Sequence, residues 1–98
     1  MSRGSEGMEK INRLRGRIDE LDDEILRLLS ERAQLAIDVG RVKRRTGLAA
    51  RSSDRERAIL RRVGRVNQGP LENAAVRRIF RLIVQESRRT AIREIRKK

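Results

Sequence analysis

The amino-acid sequence predicts an all-α chain of three helices, one long and two shorter. Three observations carry that expectation. Apolar residues recur in steps of three and four from Ile11 onward, the spacing of one helix face. Gly47 suits a helix C-cap, and Asn67-Gln-Gly-Pro70 is the one strong breaker. No segment alternates apolar and polar residues between turn signals, as a half-buried strand does.

The first helix is expected from about Glu9 to Thr46. Its seam runs through Ile11, Leu14, Ile18, Leu21, Ile25 and Leu28, then Leu35, Val39 and Val42, a heptad pattern with no proline to interrupt it. Residues 1–8 precede the pattern, are rich in Gly and Ser, and read as a disordered tail to a helical domain spanning 9–98. The second helix is expected near Asp54, because Ser53 and Glu56 have capping-box spacing. Its face is Ile59, Leu60, Val63 and Val66. The third runs from about Leu71 towards Ile95, with a face of Val76, Ile79, Phe80, Ile83, Val84, Ser87, Ala91 and Ile95.

Length sets a further condition. The seam from 11 to 42 spans roughly 48 Å as a helix, whereas a globule of this size has a diameter of about 33 Å. Two short helices cannot cover such a seam. A second copy can, so an intertwined helical-bundle homodimer is expected.

Composition narrows the chemistry. There is no Cys, His, Trp or Tyr, and Phe80 is the single aromatic. Disulfides, thiol nucleophiles and imidazole bases are excluded. A base-stacking platform for single-stranded nucleic acid is nearly so. Net charge is +12, and 22 of the 26 cations are Arg. Residues 1–45 carry 11 basic and 9 acidic groups, and residues 46–98 carry 15 and 5. An anionic partner or an Arg-rich genomic composition would each produce this asymmetry. No run is long enough to span a membrane, and the segment from Met1 to Gly7 has no apolar signal region. The chain reads as soluble and cytoplasmic.

Polar residues inside the seams are the candidate functional groups. The helix-1 pattern calls for an apolar residue at 32, but the chain has Arg32. A guanidinium there is costly unless paired. It either sets register by pairing with a carboxylate such as Glu56, or binds an anion. Lys43 lies eleven residues on and returns to nearly the same face. Ala36 and Gly40 lie between, where a ligand or backbone can approach closely. Glu56 serves as a cap, as a site residue, or as both. Arg51 and Arg55 flank it. Ser87 either bonds its own helix backbone or faces a site. Arg15 sits about 100° round the helix from Arg32, so the two converge only across a dimer; alone it reads as a surface charge. The acidic cluster Asp19, Glu20, Asp22, Asp23, Glu24 reads as a solvated face, with Asp23 and Arg27 at ion-pair spacing. The run Arg88, Arg89, Arg93, Arg96, Lys97, Lys98 reads as a frayed basic tail ahead of a nucleic-acid patch.

The ordered set Leu14-Arg15, Arg17-Ile18-Asp19, Leu21-Asp22, Ile25-Leu26, Leu28-Leu29, Arg32, Ala36, Val39-Gly40 and Lys43 resembles the N-terminal helix of AroQ-class chorismate mutases. Asp54-Arg55-Glu56 with Ile59-Leu60 resembles their second helix, and Ile79-Phe80, Ile83 and Ser87 their third. The resemblance covers about residues 11–91. It implies an intertwined dimer with shared active sites that rearranges the dianion chorismate to prephenate in Phe and Tyr synthesis, using no metal and no cofactor. Arg15 of one chain would join Arg32, Lys43, Arg55, Glu56 and Ser87 of the other. Arg15 and Arg32 would hold the substrate carboxylates. Lys43 would contact a carboxylate and the ether oxygen, Glu56 would accept the ring hydroxyl, and Ser87 and Arg55 would support the carboxylate end.

Two positions depart from the resemblance. Ser52 stands where Asp is usual near the substrate hydroxyl. Ala91 stands where Gln, sometimes Glu, donates to the ether oxygen, and neither Thr90 nor Glu94 is placed to substitute. Reduced activity is therefore expected. An isochorismate pyruvate-lyase of the same fold and a non-catalytic anion-binding or regulatory module are the alternatives. Nucleic-acid binding is disfavoured by the single aromatic residue and by the seam position of Arg32.

Overall fold

A computed structural model describes residues 3–49 and 52–97. These form three helices, α1 (Arg3–Thr46), α2 (Ser53–Val66) and α3 (Asn73–Arg96). No strand occurs among the described residues. The chain divides into two units, residues 1–31 and residues 32–98.

In the first unit, α1 begins at Arg3 rather than near Glu9. Residues 3–8, expected as a disordered tail, are helical; Met1 and Ser2 lie outside the described residues. The physical reason is cooperativity. Extending an existing helix is far easier than nucleating one, Glu6 in the first turn suits the helix dipole, and no proline blocks the extension. Every residue from Arg3 to Leu28 is exposed. The seam residues Ile11, Leu14, Ile18, Leu21, Ile25 and Leu28 are between 40% and 58% exposed. Arg27 donates to Glu31 at 3.1 Å, not to Asp23 as the spacing suggested, because Glu carries one more methylene of reach.

In the second unit, α1 ends as expected. Gly47 has a φ of 75°, and the Leu48 N–H donates to the Lys43 carbonyl at 2.9 Å, closing a Schellman motif that needs a left-handed residue. The start of α2 differs by one residue from the capping-box reading. Ser52, not Ser53, is the N-cap, and its Oγ accepts from the Arg55 N–H at 3.1 Å. Glu56 thereby falls one position too far into the helix for a capping box. The cap fixes Ser52, Arg55 and Glu56 on the first turn. Replacing Ser52 by Ala is expected to cost about 1 kcal/mol, read as a lower urea midpoint. Ser52→Asp, which keeps a capping oxygen, should retain the wild-type midpoint.

The breaker at 67–70 works through Asn67. Its Nδ2 donates to the Leu71 carbonyl at 2.7 Å and to Asn73 Oδ1 at 2.8 Å, while its Oδ1 accepts from the Gly69 N–H. That turn folds α3 back onto α2. The C-terminal part of α1 meets α3 at Gly40. A Cβ there would lie 2.7 Å from Ile95 Cδ1 and 3.9 Å from the Ala91 Cβ, so the glycine permits the approach. The Arg44 guanidinium donates to the Ile95 carbonyl at 3.3 Å. Among the described residues, few are buried: Ile37, Gly64, Ser87 and Ala91. No large side chain among the described residues is fully enclosed.

Candidate active site

The second unit contains an open cavity of about 810 Å³, lined only by residues between Arg32 and Arg96. Each helix contributes one face. From α1 come Arg32, Leu35, Ala36, Val39, Gly40 and Lys43, which are spaced three, four and seven apart and so share a face. The first turn of α2 brings Ser52, Arg55 and Glu56. From α3 come Val84, Ser87, Arg88, Ala91, Ile92 and Ile95. Of the residues singled out from sequence, Arg32, Lys43, Ser52, Arg55, Glu56, Ser87 and Ala91 all line this one cavity. Arg15 belongs to the first unit and does not. Arg51 and Lys98 lie outside the described residues.

Electrostatics define the cavity further. Among the described residues, Arg32, Lys43, Arg44, Arg55, Arg88 and Arg96 set six cations around it against the single carboxylate of Glu56. Arg32 Nη1 donates to Ser87 Oγ at 2.9 Å, and Ser87 is only 6% exposed. The seam serine thus orients the seam arginine. Burial, and then the nearby charge of Arg55, push the Arg32 guanidinium below its ordinary pKa. A cation held against both desolvation and a like charge is a place where an anion is favoured.

Glu56 is held from α3. Arg88 Nη1 donates to Glu56 Oε1 at 2.5 Å. The expected alternative paired Glu56 with Arg32; here Arg88 donates to Glu56, and Arg32 donates to Ser87. Arg44, Arg88 and Arg96 line the cavity although the sequence reading does not count them as site residues. Arg88, which reads from sequence as part of a basic tail, falls four residues after Val84, on the cavity face of α3. A cation at a seam position was the available signal, as it was for Arg32. Arg89, Arg93 and Arg96 do not form a frayed tail either. α3 continues to Arg96 because acids are interleaved: Arg89 pairs with Glu86, and Arg93 and Lys97 pair with Glu94. The Lys97 hydrogen bond, above all, holds the Glu94 carboxyl below its ordinary pKa. Ala91 is 6% exposed and presents only a methyl to the cavity. Neither Thr90 nor Glu94 lines it.

The family model for chorismate mutase type II matches residues 14–91. The chain belongs to that family. A chorismate mutase from Methanocaldococcus jannaschii is 31% identical over 83 residues, covering 83% of each chain. A bifunctional chorismate mutase/prephenate dehydratase from Neisseria gonorrhoeae is 49% identical over 72 residues, 74% of this chain and 19% of that one. The chain therefore spans about a fifth of the length of such bifunctional relatives. A solved chorismate mutase structure from Thermus thermophilus superposes with a TM-score of 0.83 at 34% identity, over 86% of this chain and 96% of that one. The all-α architecture is thus that of solved chorismate mutases. No helix among the described residues is long and apolar enough to cross a membrane.

Proposed function

We propose that the chain is a chorismate mutase that rearranges chorismate to prephenate. The observation that carries this reading is the single cavity in which Arg32, Lys43, Arg55, Glu56 and Ser87 converge, within a chain of that family. The reaction is a Claisen rearrangement. It breaks an ether C–O bond and forms a C–C bond within one molecule, so it needs no nucleophile, proton shuttle or cofactor. A chain without His or Cys is well suited to it. Two tasks remain for the protein. It must fold a flexible dianion into a reactive chair, which is positioning. It must also stabilise negative charge that grows on the ether oxygen, which fixed cations do without reorganising.

The roles proposed are those the family resemblance implies, and the convergence of these side chains on one cavity supports them. Arg32, oriented by Ser87, holds one carboxylate. Arg15 of a second copy holds the other. Lys43 faces a carboxylate and the ether oxygen, Arg55 supports the carboxylate end, and Glu56 accepts the ring hydroxyl, with Ser52 beside it. The test is an assay that follows chorismate loss and identifies the product. Prephenate supports the reading. Pyruvate released from isochorismate, with chorismate left unchanged, instead assigns the lyase reaction, and binding without turnover of either assigns an anion-binding module.

A homodimer belongs to the same proposal. The exposed seam of the first unit supports it, since an uninterrupted apolar stripe of this length needs a partner. So does the small set of buried residues in the second unit. Light scattering at micromolar concentration should give twice the chain mass of 11.4 kDa. A stable folded monomer overturns both the dimer and the role given to Arg15.

A further inference from the structure

We propose that Arg88 is the positioning residue for Glu56, fixing which side of the α2–α3 wall the carboxylate serves; this rests on the mutase reading above. The pair joins two helices across 32 residues of sequence, with N–O separation of 2.5 Å and side chains only 28–29% exposed. Such a half-shielded, charge-assisted contact fixes geometry better than an exposed pair does.

Its location gives the contact its consequence. Glu56 and Arg88 both line the 810 Å³ cavity and also a second cavity of about 220 Å³, to which Arg81, Leu60 and Gln85 contribute. Together with Val84, which also lines both, the pair stands between them. Arg81 lies seven residues before Arg88, two turns along the same face of α3, and offers a competing cation on the far side. With Arg88 in place, the Glu56 carboxylate is held at the rim of the larger cavity, where the substrate hydroxyl must be met. Without it, the carboxylate loses the contact that α3 supplies, and Arg81 competes for it from the other side. Consecutive residues of α3 therefore orient two reacting-site groups from two other segments: Ser87 holds Arg32, and Arg88 holds Glu56.

The experiment is a double-mutant cycle on chorismate turnover with wild type, Arg88→Ala, Glu56→Ala and the double variant, plus Arg88→Lys. Misplacing a group by about 1 Å costs about 10²-fold in rate, so Arg88→Ala should lose kcat/KM on that order. In the Glu56→Ala background the same change should have almost no effect, because residues acting as a unit are non-additive. Arg88→Lys should recover part of the loss, since it keeps the charge but not the fork. If Glu56→Ala leaves too little turnover to measure, prephenate affinity by calorimetry on the same proteins gives the same cycle. Equal losses in both backgrounds overturn the proposal, because Arg88 then acts on the substrate itself or on the fold. Unchanged turnover in Arg88→Ala also overturns it and leaves the mutase reading intact. A wild type that neither converts chorismate nor binds prephenate removes the mutase reading and this proposal together.

Discussion

Arg32→Ala is expected to remove most turnover while leaving a folded helical protein. Truncating one partner of a shielded charge pair costs about 2–5 kcal/mol, which corresponds to a loss of about 30-fold to several thousand-fold in kcat/KM. The loss falls on both constants, because the clamp holds the dianion before and during the reaction. Stability should move little or rise. The folded protein holds the Arg32 proton less tightly than the unfolded chain does, since burial and Arg55 both oppose the charge. That penalty is fully present at neutral pH and is relieved only as strongly alkaline pH removes the proton. Alanine removes the penalty outright, and water entering the open cavity can replace the donor that Ser87 loses. The measurements are steady-state kinetics on chorismate and thermal melting by circular dichroism. A variant that unfolds, together with a wild type that binds no dicarboxylate, would show that Arg32 only sets helix register.

Ala91→Gln is expected to accelerate the reaction. Ala91 sits on the cavity wall and presents only a methyl, at the position where the family resemblance implies a donor to the ether oxygen. Removing one donor aimed at a charge-developing oxygen typically costs about 10²–10³ in kcat. A chain that lacks it should therefore run slowly on Lys43 and the arginine clamp alone. Gln in that place should raise kcat more than it lowers KM, because the contact strengthens mainly in the transition state. The cavity has room for the longer side chain, although Gly40 and Ile95 crowd the α1 side. Should the wild type already be fast and the variant slower, another group contacts the ether oxygen and the role given to Lys43 and position 91 is wrong.

The sequence carried most of the local structure, because the signals concerned are local. Steps of three and four placed all three helices, and Gly47 ended α1 where a left-handed residue is needed. The N-terminal limit of α1 was missed because a weak helix former attached to a strong helix is helical by cooperativity. The cap of α2 was placed one residue late, since two adjacent serines satisfy the same rule and only the backbone decides between them. Arg32 was legible as a cation breaking an apolar seam, and Lys43 as its neighbour three turns on.

The helical class, the seam, and the set of residues too polar for the faces they occupy are all legible along the chain. The pairing among them is not, and emerges only once the helices pack: Arg32 with Ser87 and Glu56 with Arg88. The reason is physical. Helical periodicity depends on neighbours three and four residues away and can be read along the chain. Which cation meets which carboxylate depends on how far α3 slides along α1 and α2. That register is set by close packing at sites such as Gly40 against Ile95, a contact between residues 55 positions apart.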